Sequence, residues 1–282
     1  MLLLTAFPAL LVGLILLGLI LKSRAILALK PLSEVLFGTS WHPLKGNFGL
    51  LPYLAGTAWV TLAAMVLAVP VSLLTAVYLS EYAPRFVRAT VRPVIDLLAG
   101  IPSVVFGVWG VLLIVPFVGR VLAPLFKVYS SGYSILAGAI VLAIMIFPTI
   151  ILVCLEVFAA IPRELRDASL ALGATRWETI RHVVLRKGAQ GIIAAVVLGF
   201  SRAFGETMAV LMVVGNVARI PHSLFDSAYP LPALIANNYG EMLSIPLYDS
   251  AIMLAALVLL LVVLVFNLGA RIILTRIQRR VQ

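Results

Sequence analysis

The sequence predicts an all-α membrane protein with six transmembrane helices, and three observations support this prediction. Of the 282 residues, 63% are apolar and 11% are charged, whereas soluble domains are about 45–50% apolar and about 25% charged. The mean hydropathy is +1.15. Six separate apolar runs each reach the roughly 20 residues that a helix needs to cross the hydrocarbon core of a bilayer.

The predicted spans lie near residues 2–21, 50–79, 94–119, 133–161, 189–217 and 248–270. No basic segment precedes the first run and no small-residue cleavage site follows it, so we expect a retained span and not a signal peptide. Prolines fall inside the second, third and fourth spans, where we expect kinks whose freed backbone groups are satisfied by neighbouring helices. They are Pro70, Pro102, Pro116 and Pro148.

The distribution of Lys and Arg predicts the orientation, because short loops rich in these residues stay in the cytoplasm. If the N-terminus is cytoplasmic, the inside segments are 80–93, 162–188 and 271–282, and they hold thirteen Lys and Arg residues. The outside segments then hold seven. We therefore expect both termini in the cytoplasm, and the net charge of +10 suits loops beside anionic headgroups.

Three regions organise the chain. Residues 1–49 comprise the first transmembrane helix and an extracytoplasmic loop, and residues 50–270 form a domain of five helices with a long cytoplasmic loop at 162–188. Residues 271–282 form a basic cytoplasmic tail. The outside loops 22–49 and 218–247 are rich in aromatic residues, Pro and Gly, and they either cover the bundle as a lid or receive a partner.

The sequence lacks the motifs typical of ATP hydrolysis, metal binding and catalysis. A GxxxxGK[ST] phosphate loop is absent from the sequence, so we do not expect the chain to bind and hydrolyse ATP. His42, His182 and His222 lie far apart without metal-binding spacing, and the single Cys154 cannot form an intrachain disulfide. We expect neither a metal nor another cofactor on this chain, and no catalytic residues.

The long cytoplasmic loop predicts a helix, a glycine turn and a second helix. Pro162 suits the first turn of a helix, and Gly173 is typical of a helix end. Thr175 and Glu178 have the spacing of a capping box that starts the second helix, with Trp177 just after the turn. Two arrangements are open at this point: a compact knob, or an amphipathic hairpin lying on the membrane surface.

This loop resembles the EAA motif of ABC-transporter permeases, EAA-x3-G-x9-I-x-LP. Asp167-Ala168-Ser169 stands for EAA, Gly173 for the glycine, Val183 for the isoleucine and Leu185-Arg186 for LP. The resemblance implies a type I importer permease fold, and it implies that the loop docks into a groove on an ATPase subunit. The implied coupling residues are Arg163, Glu164, Asp167, Ala168, Ser169, Gly173, Ala174, Arg176 and Trp177.

Further stretches resemble the PstC family of phosphate permease subunits. They are FGTSWHP (37–43), FGLLPYLAGT (48–57), LSEYAP (79–84), IPSVVFGVWG (101–110), AIMIFPTI (143–150) and RAFGETMAVLMVVGN (202–216). The sister PstA family is less similar than the PstC family to this sequence in two places, the WHP stretch and the GETMAV…GN ending. The resemblance implies an inner-membrane phosphate importer in which this chain pairs with a PstA-like permease, a PstB-like ATPase dimer that uses ATP and Mg, and a PstS-like phosphate-binding protein. A permease for sulfate or molybdate and a phosphate-sensing subunit are the alternatives.

Arg202 and Glu206 stand out because they lie inside the fifth apolar run. A charge at the bilayer centre costs about 2.5–3.5 kcal/mol on insertion scales. Four residues apart on one helix, the two side chains are expected to touch. Three roles are open: contact with phosphate along its route, a gate that pairs in one state and separates in another, and a self-neutralising ion pair. Ser103, after Pro102, is a further candidate for the route.

Overall fold

A computed structural model describes the backbone of residues 2–241, 245 and 247–281, and the burial of residues 7–8, 10–241, 245 and 247–272. Within these residues, six helical segments are long and apolar enough to cross a membrane. We number them spans 1 to 6: Leu10–Leu29, Leu51–Tyr82, Ser103–Leu125, Ile135–Ala159, Arg176–Gly205 and Tyr248–Ile272. The prediction of an all-α membrane protein with six transmembrane helices is confirmed.

The first half of the chain contains seven α-helices and a short hairpin among the described residues. The α-helices are α1 Leu2–Leu29, α2 Leu32–Phe37, α3 Leu51–Val77, α4 Arg85–Gly100, α5 Ser103–Trp109, α6 Val115–Phe117 and α7 Ala123–Leu125. The antiparallel strands β1 Trp41–His42 and β2 Asn47–Phe48 flank a 3-10 turn, Pro43–Lys45. Span 2 ends in a π-helical turn, Tyr78–Tyr82, and span 3 contains two more, Gly110–Ile114 and Val118–Leu122.

The second half adds another seven α-helices among the described residues. They are α8 Ile135–Ala159, α9 Arg163–Ala171, α10 Arg176–Thr179, α11 Leu185–Gly205, α12 Met208–Val213, α13 Leu231–Asn238 and α14 Tyr248–Val281. A π-helical turn, Ile180–Val184, joins α10 to α11. Span 5 is therefore one continuous helical segment from Arg176 to Gly205.

Span 4 lies at the centre of the bundle. In its most apolar window 61% of the residues are buried, against 11% for span 1 at the periphery. Its helix α8 packs along α3 and α11, and Ala64, Ala68, Ala139 and Ala143 are buried in the shared core. Because lipid tails are as apolar as Leu, association in the membrane depends on close packing, and small residues let the helix backbones approach.

The third predicted span, 94–119, was placed too early in the chain. Residues 94–100 belong to α4, which carries Arg85, Arg88 and Arg92, and the crossing helix begins only at Ser103. A proline disfavours helical backbone at the residue before it, and Ile101 is accordingly extended, with φ −68° and ψ 129°. Pro102 therefore separates two helices, and the expectation of a kink within one span at this position was wrong.

The fifth predicted span, 189–217, and the separate second helix of the cytoplasmic loop also need correction. The capped helix that starts at Arg176 continues without interruption into the membrane as span 5. A hairpin lying flat on the membrane surface is excluded, because its second arm is the first part of a transmembrane helix. Among the described residues, α9 and α4 are the helices on this side that are separate from the spans.

The two outside loops pack together over the ends of spans 2 and 6. The Trp41 ring makes edge contacts with the rings of Phe48, Tyr53 and Tyr248, at centroid distances of 5.5, 5.5 and 6.2 Å. Tyr229, from the second loop, lies 5.2 Å from Tyr53. This aromatic cluster holds the two loops against each other and against spans 2 and 6, and the reception of a partner by these loops stays a prediction.

Replacing Gly191 with Val is expected to destabilise the bundle. A Cβ atom on Gly191 of α11 would overlap the Val157 side chain of α8, including its Cβ atom. Overpacking of this kind costs about 1–3 kcal/mol. Thermal unfolding in detergent measures the effect. Gly18→Val is the matched control, since nothing lies within 4 Å of its added Cβ atom; equal unfolding temperatures for both variants would contradict the packing described.

Candidate functional site

The helix of span 5 ends between the two charged residues that the sequence singled out. Its last helical residue is Gly205, and Glu206 has extended backbone, with φ −69° and ψ 125°. A short helix, α12, resumes at Met208. The expectation that Arg202 and Glu206 share one helix face was therefore wrong, and no ion pair joins them among the residues that the structure describes.

Contacts with span 4 place this helix break part-way along the length of the bundle. Along α8, Gly191 lies against Val157, Gly199 against Ile150, and Gly138 against Val214, just after α12. Span 5 and α12 thus follow α8 from the end near Ala159 to the end near Ile135. Thr149, which contacts Arg202, is about 21 Å along α8 from Ile135 and about 15 Å from Ala159, at 1.5 Å per residue.

Arg202 lies in the last turn of α11 and is half-buried. Its Nη1 donates a hydrogen bond of 2.6 Å to Oγ1 of Thr149 in α8. Thr149 follows Pro148, which has no N–H and therefore leaves a helix carbonyl without its usual donor. The sequence reasoning missed Thr149, although a threonine beside a proline in an apolar span is a signal that could have identified it.

Glu206 is also half-buried and caps the short helix that follows the break. Its Oε1 accepts a hydrogen bond of 3.2 Å from the backbone N–H of Ala209. Thr207 donates from Oγ1 to the carbonyl oxygen of Gly205, at 3.2 Å. Non-helical backbone at membrane depth is tolerated only where protein covers it or where it lines a water-filled cavity, so the break marks this level of the bundle as polar.

Ser103 starts α5, which packs beside α12. Gly107 of α5 lies against Ala209, and Gly110 lies against Val213, so the two helices run in the same direction. Ser103 lies about one helical turn before Gly107, and the helix break lies about one turn before Ala209. Ser103 is therefore level with the helix break. Like Arg202, Glu206 and Thr149, Ser103 is half-buried. Around the break, the structure thus combines guanidinium and hydroxyl donors with a carboxylate acceptor.

This combination suits a tetrahedral oxyanion. A guanidinium has five N–H donors in a planar fork, and the bond to Thr149 uses one of them. Charge-assisted hydrogen bonds from Arg to anionic oxygens are among the stronger ones in proteins, and they are stronger still away from bulk water. A carboxylate nearby accepts a hydrogen bond from a ligand hydroxyl and repels a fully deprotonated anion.

A compact knob, residues 162–178, is built by the capping signals that the sequence predicts. Helix α9 ends in a Schellman motif: Gly173 N–H donates to Leu170 O at 3.0 Å, and Ala174 N–H donates to Ser169 O at 3.3 Å. Gly173 has φ +88°, which favours glycine. Thr175 and Glu178 form the capping box that starts α10. The Ser169 and Thr179 hydroxyls, 3.0 Å apart, join the two arms.

The predicted coupling residues form one exposed surface on this knob. Arg163, Glu164, Asp167 and Ala168 are exposed on α9, Arg176 and Trp177 are exposed on α10, and Ser169, Gly173 and Ala174 complete the turn between them. Leu172 is 90% exposed and Trp177 is 51% exposed. Beside them, a cleft of about 590 Å³ separates α9 from the start of span 5. Exposed apolar side chains in such a setting are typical of a protein-binding surface.

Sequence comparison identifies the family. The sequence profile described as "Binding-protein-dependent transport system inner membrane component" matches residues 68–282. A probable ABC transporter permease protein of Bacillus subtilis, YqgH, is 39% identical over 245 residues, 84% of this chain and 78% of the relative. Phosphate transport system permease protein PstC of Xylella fastidiosa is 38% identical over 258 residues, 86% of this chain and 79% of the relative.

Structural comparison agrees with this assignment. A chain of the MetNI methionine ABC transporter, solved in inward-facing conformations, matches with a TM-score of 0.58 and 20% sequence identity. The match covers 81% of this chain and 94% of that chain. At this identity the likeness concerns the fold alone, which is the type I ABC importer permease fold. The chain belongs to the family of binding-protein-dependent transport system inner membrane components and is a multi-pass permease subunit of an ABC importer.

Proposed function

We propose that this chain is the permease subunit of an ATP-driven importer of inorganic phosphate, and that it forms half of the translocation pathway. The observation that supports this proposal is the set of polar groups on the two sides of the helix break: Arg202 with its partner Thr149 before it, and Glu206 after it. The choice of phosphate as the substrate is supported by the names of the relatives, several of which are phosphate transport system permease proteins.

Phosphate fits these groups by its charge and its proton. Near neutral pH it is anionic, so the Arg202 guanidinium attracts it. Phosphate also retains a hydroxyl, which can donate a hydrogen bond to a carboxylate such as that of Glu206. Sulfate has no such proton and meets repulsion from the same carboxylate. Glu206 is therefore the residue that we assign to discrimination between the two anions.

The pathway is completed by a second permease subunit in this proposal. Arg202, Glu206, Thr149 and Ser103 are all half-buried within a single chain, and a charged group in the membrane needs a partner or a water-filled cavity. A PstA-like subunit covering this side of the bundle would enclose the route. The alternative gating role of Arg202 and Glu206 requires them to pair in another state, since in this structure each has a different partner.

Energy reaches the pathway through the cytoplasmic knob. The sequence contains no phosphate loop, so ATP and Mg are bound by a PstB-like ATPase dimer, which grips α9 and the start of α10. This arrangement requires both termini in the cytoplasm, in agreement with the excess of Lys and Arg in that orientation. The aromatic lid then faces outwards, where a PstS-like binding protein delivers phosphate.

Uptake by the assembled complex tests the proposal. The chain is reconstituted in vesicles with its partner permease, ATPase and binding protein, and the uptake of radiolabelled phosphate is measured with and without ATP. We expect ATP-dependent phosphate uptake that excess sulfate or molybdate does not inhibit. Uptake of sulfate or molybdate in place of phosphate would identify a permease for another oxyanion. ATP hydrolysis without uptake of any of these anions would indicate a sensing subunit.

Variants at the helix break test the residue roles. Glu206→Gln removes the negative charge, so we expect sulfate to compete with phosphate where it does not in the wild-type complex. Arg202→Lys keeps the charge but loses the planar fork, and a lost charge-assisted bond of about 1.5–3 kcal/mol corresponds to a weakening of apparent phosphate affinity by about 10- to 150-fold. An unchanged preference for phosphate over sulfate in Glu206→Gln would rule out the discriminating role.

Two substitutions of Thr149 form a matched pair of variants that tests how Arg202 is positioned. Thr149→Val has nearly the same shape but no hydroxyl to accept from Arg202, whereas Thr149→Ser keeps the hydroxyl. We expect reduced phosphate affinity in the valine variant and near wild-type affinity in the serine variant. Equal behaviour of the two variants would show that the 2.6 Å hydrogen bond does not position Arg202 for its ligand.

A further inference from the structure

The pairing between Arg166 and Glu81 was not predicted from the sequence. Arg166 lies on α9 and Glu81 lies in the π-helical turn at the end of span 2, 85 residues earlier. Arg166 Nη2 is 2.9 Å from Glu81 Oε1, and Nε is 3.3 Å from Oε2, so the guanidinium and the carboxylate form a two-point contact. The exposed fractions of the two side chains are 17% and 13%.

Arg166 also binds the end of span 4. Its Nη1 donates to Ile161 O at 2.7 Å, and its Nη2 donates to Phe158 O at 2.8 Å. The last carbonyl groups of a helix have no intrahelical partner, and Phe158 belongs to the last turn of α8. A single guanidinium thus connects α9 to the cytoplasmic ends of both span 2 and span 4.

The carboxylate of Glu81 is held from its other side as well. Ser80 Oγ donates to Glu81 Oε1 at 2.9 Å. From α4, Arg88 donates to Leu79 O at 2.8 Å and to Ser80 O at 2.6 Å, which fixes the backbone on which Glu81 sits. The network therefore joins α4, span 2, span 4 and α9.

Stability alone does not account for such a pair. A largely buried ion pair is often no more stable than apolar residues of the same volume, because the cost of desolvation offsets the attraction. A two-point arginine contact does fix relative position and orientation, which a lysine cannot do. The other ion pairs within the described residues, Lys22–Asp249 and Lys30–Glu34, are more exposed and do not involve α9.

We propose that Glu81 and Arg166 are positioning residues that make α9, span 2 and span 4 one rigid unit, so that movement of the knob is transmitted directly to span 2. Spans 2 and 4 already pack along their lengths. The ion pair extends this packing to the helix that faces the ATPase. The transport part of this inference depends on the proposed function; the mechanical part depends only on the contacts above.

The test uses the reconstituted complex and measures phosphate uptake and ATP hydrolysis in the same vesicles. Substitutions along a coupling network change coupling by about 0.5–2 kcal/mol, so Glu81→Gln should lower the phosphate imported per ATP hydrolysed by about 2- to 30-fold. ATP hydrolysis itself should continue. Glu34→Gln is the matched control: it removes an ion pair of the same 2.9 Å length at an exposed site and should leave the ratio unchanged.

A purely structural role gives a different result. Poor folding of Glu81→Gln would lower uptake and hydrolysis in proportion, and a constant ratio would overturn the inference. Arg166→Lys retains the positive charge and serves as a second variant in case Glu81→Gln misfolds. It too should lower the amount of phosphate imported per ATP hydrolysed. The double variant Glu81→Gln/Arg166→Lys should lose no more than the more severe single variant, because the two side chains act as one contact.

Hydrogen exchange of the same complex gives a measurement that does not depend on the substrate. The backbone amides of α9 should exchange faster in Glu81→Gln than in the wild-type complex, and at the wild-type rate in Glu34→Gln. Unchanged exchange of α9 in Glu81→Gln would contradict the rigid unit. A wild-type complex that hydrolyses ATP but imports no phosphate would instead contradict the proposed function, while the exchange of α9 would still report on the ion pair.

Discussion

The membrane-embedded architecture depends on one constraint: a backbone N–H or C=O group surrounded by lipid must find its hydrogen-bond partner within the protein. The six spans meet this constraint with continuous helical segments. Directly after span 5 the helix is interrupted, because it stops at Gly205 and resumes at Met208. The side chains next to this interruption supply part of what the helix lacks, since Glu206 accepts from Ala209 N–H and Thr207 donates to Gly205 O. The same interruption brings polar side chains to this level of the bundle, where the proposed function places the anion.

Local signals in the sequence predicted much of the fold. Composition and apolar run length predicted six spans, and the helix ends around Gly173 and the Thr175–Glu178 capping box form as expected. These features depend on neighbouring residues only. Errors arose where an apolar run continues past a helix end: residues 94–100 are apolar enough to extend a span, yet Pro102 separates them from it. The same applies at Gly205, where hydrophobicity persists but the helix does not.

Contacts between distant segments could not be predicted in this way. Arg202 was recognised as a candidate because a charge in an apolar run is conspicuous, but its partner Thr149 lies 53 residues away. Arg166 was one of several basic residues in a cytoplasmic loop, and nothing in its spacing relates it to Glu81. Hydrophobic periodicity reports which face of a helix is buried, whereas the choice of a partner depends on how the helices are arranged in space. Both contacts follow from the central position of span 4, which no single segment of sequence encodes.

The continuity of span 5 has a mechanical consequence. From Trp177 at the exposed knob to Arg202 at the helix break, one helical segment extends about 38 Å at 1.5 Å per residue. A rigid segment of this length can act as a lever between the knob and the helix break. A tilt of about 5° around its knob end would displace Arg202 by about 3 Å over this helix length, which is more than its 2.6 Å hydrogen bond to Thr149 can tolerate. The Ser169–Thr179 hydroxyl contact lies at the base of this lever, where a small rotation between α9 and span 5 would be amplified along the helix towards Arg202.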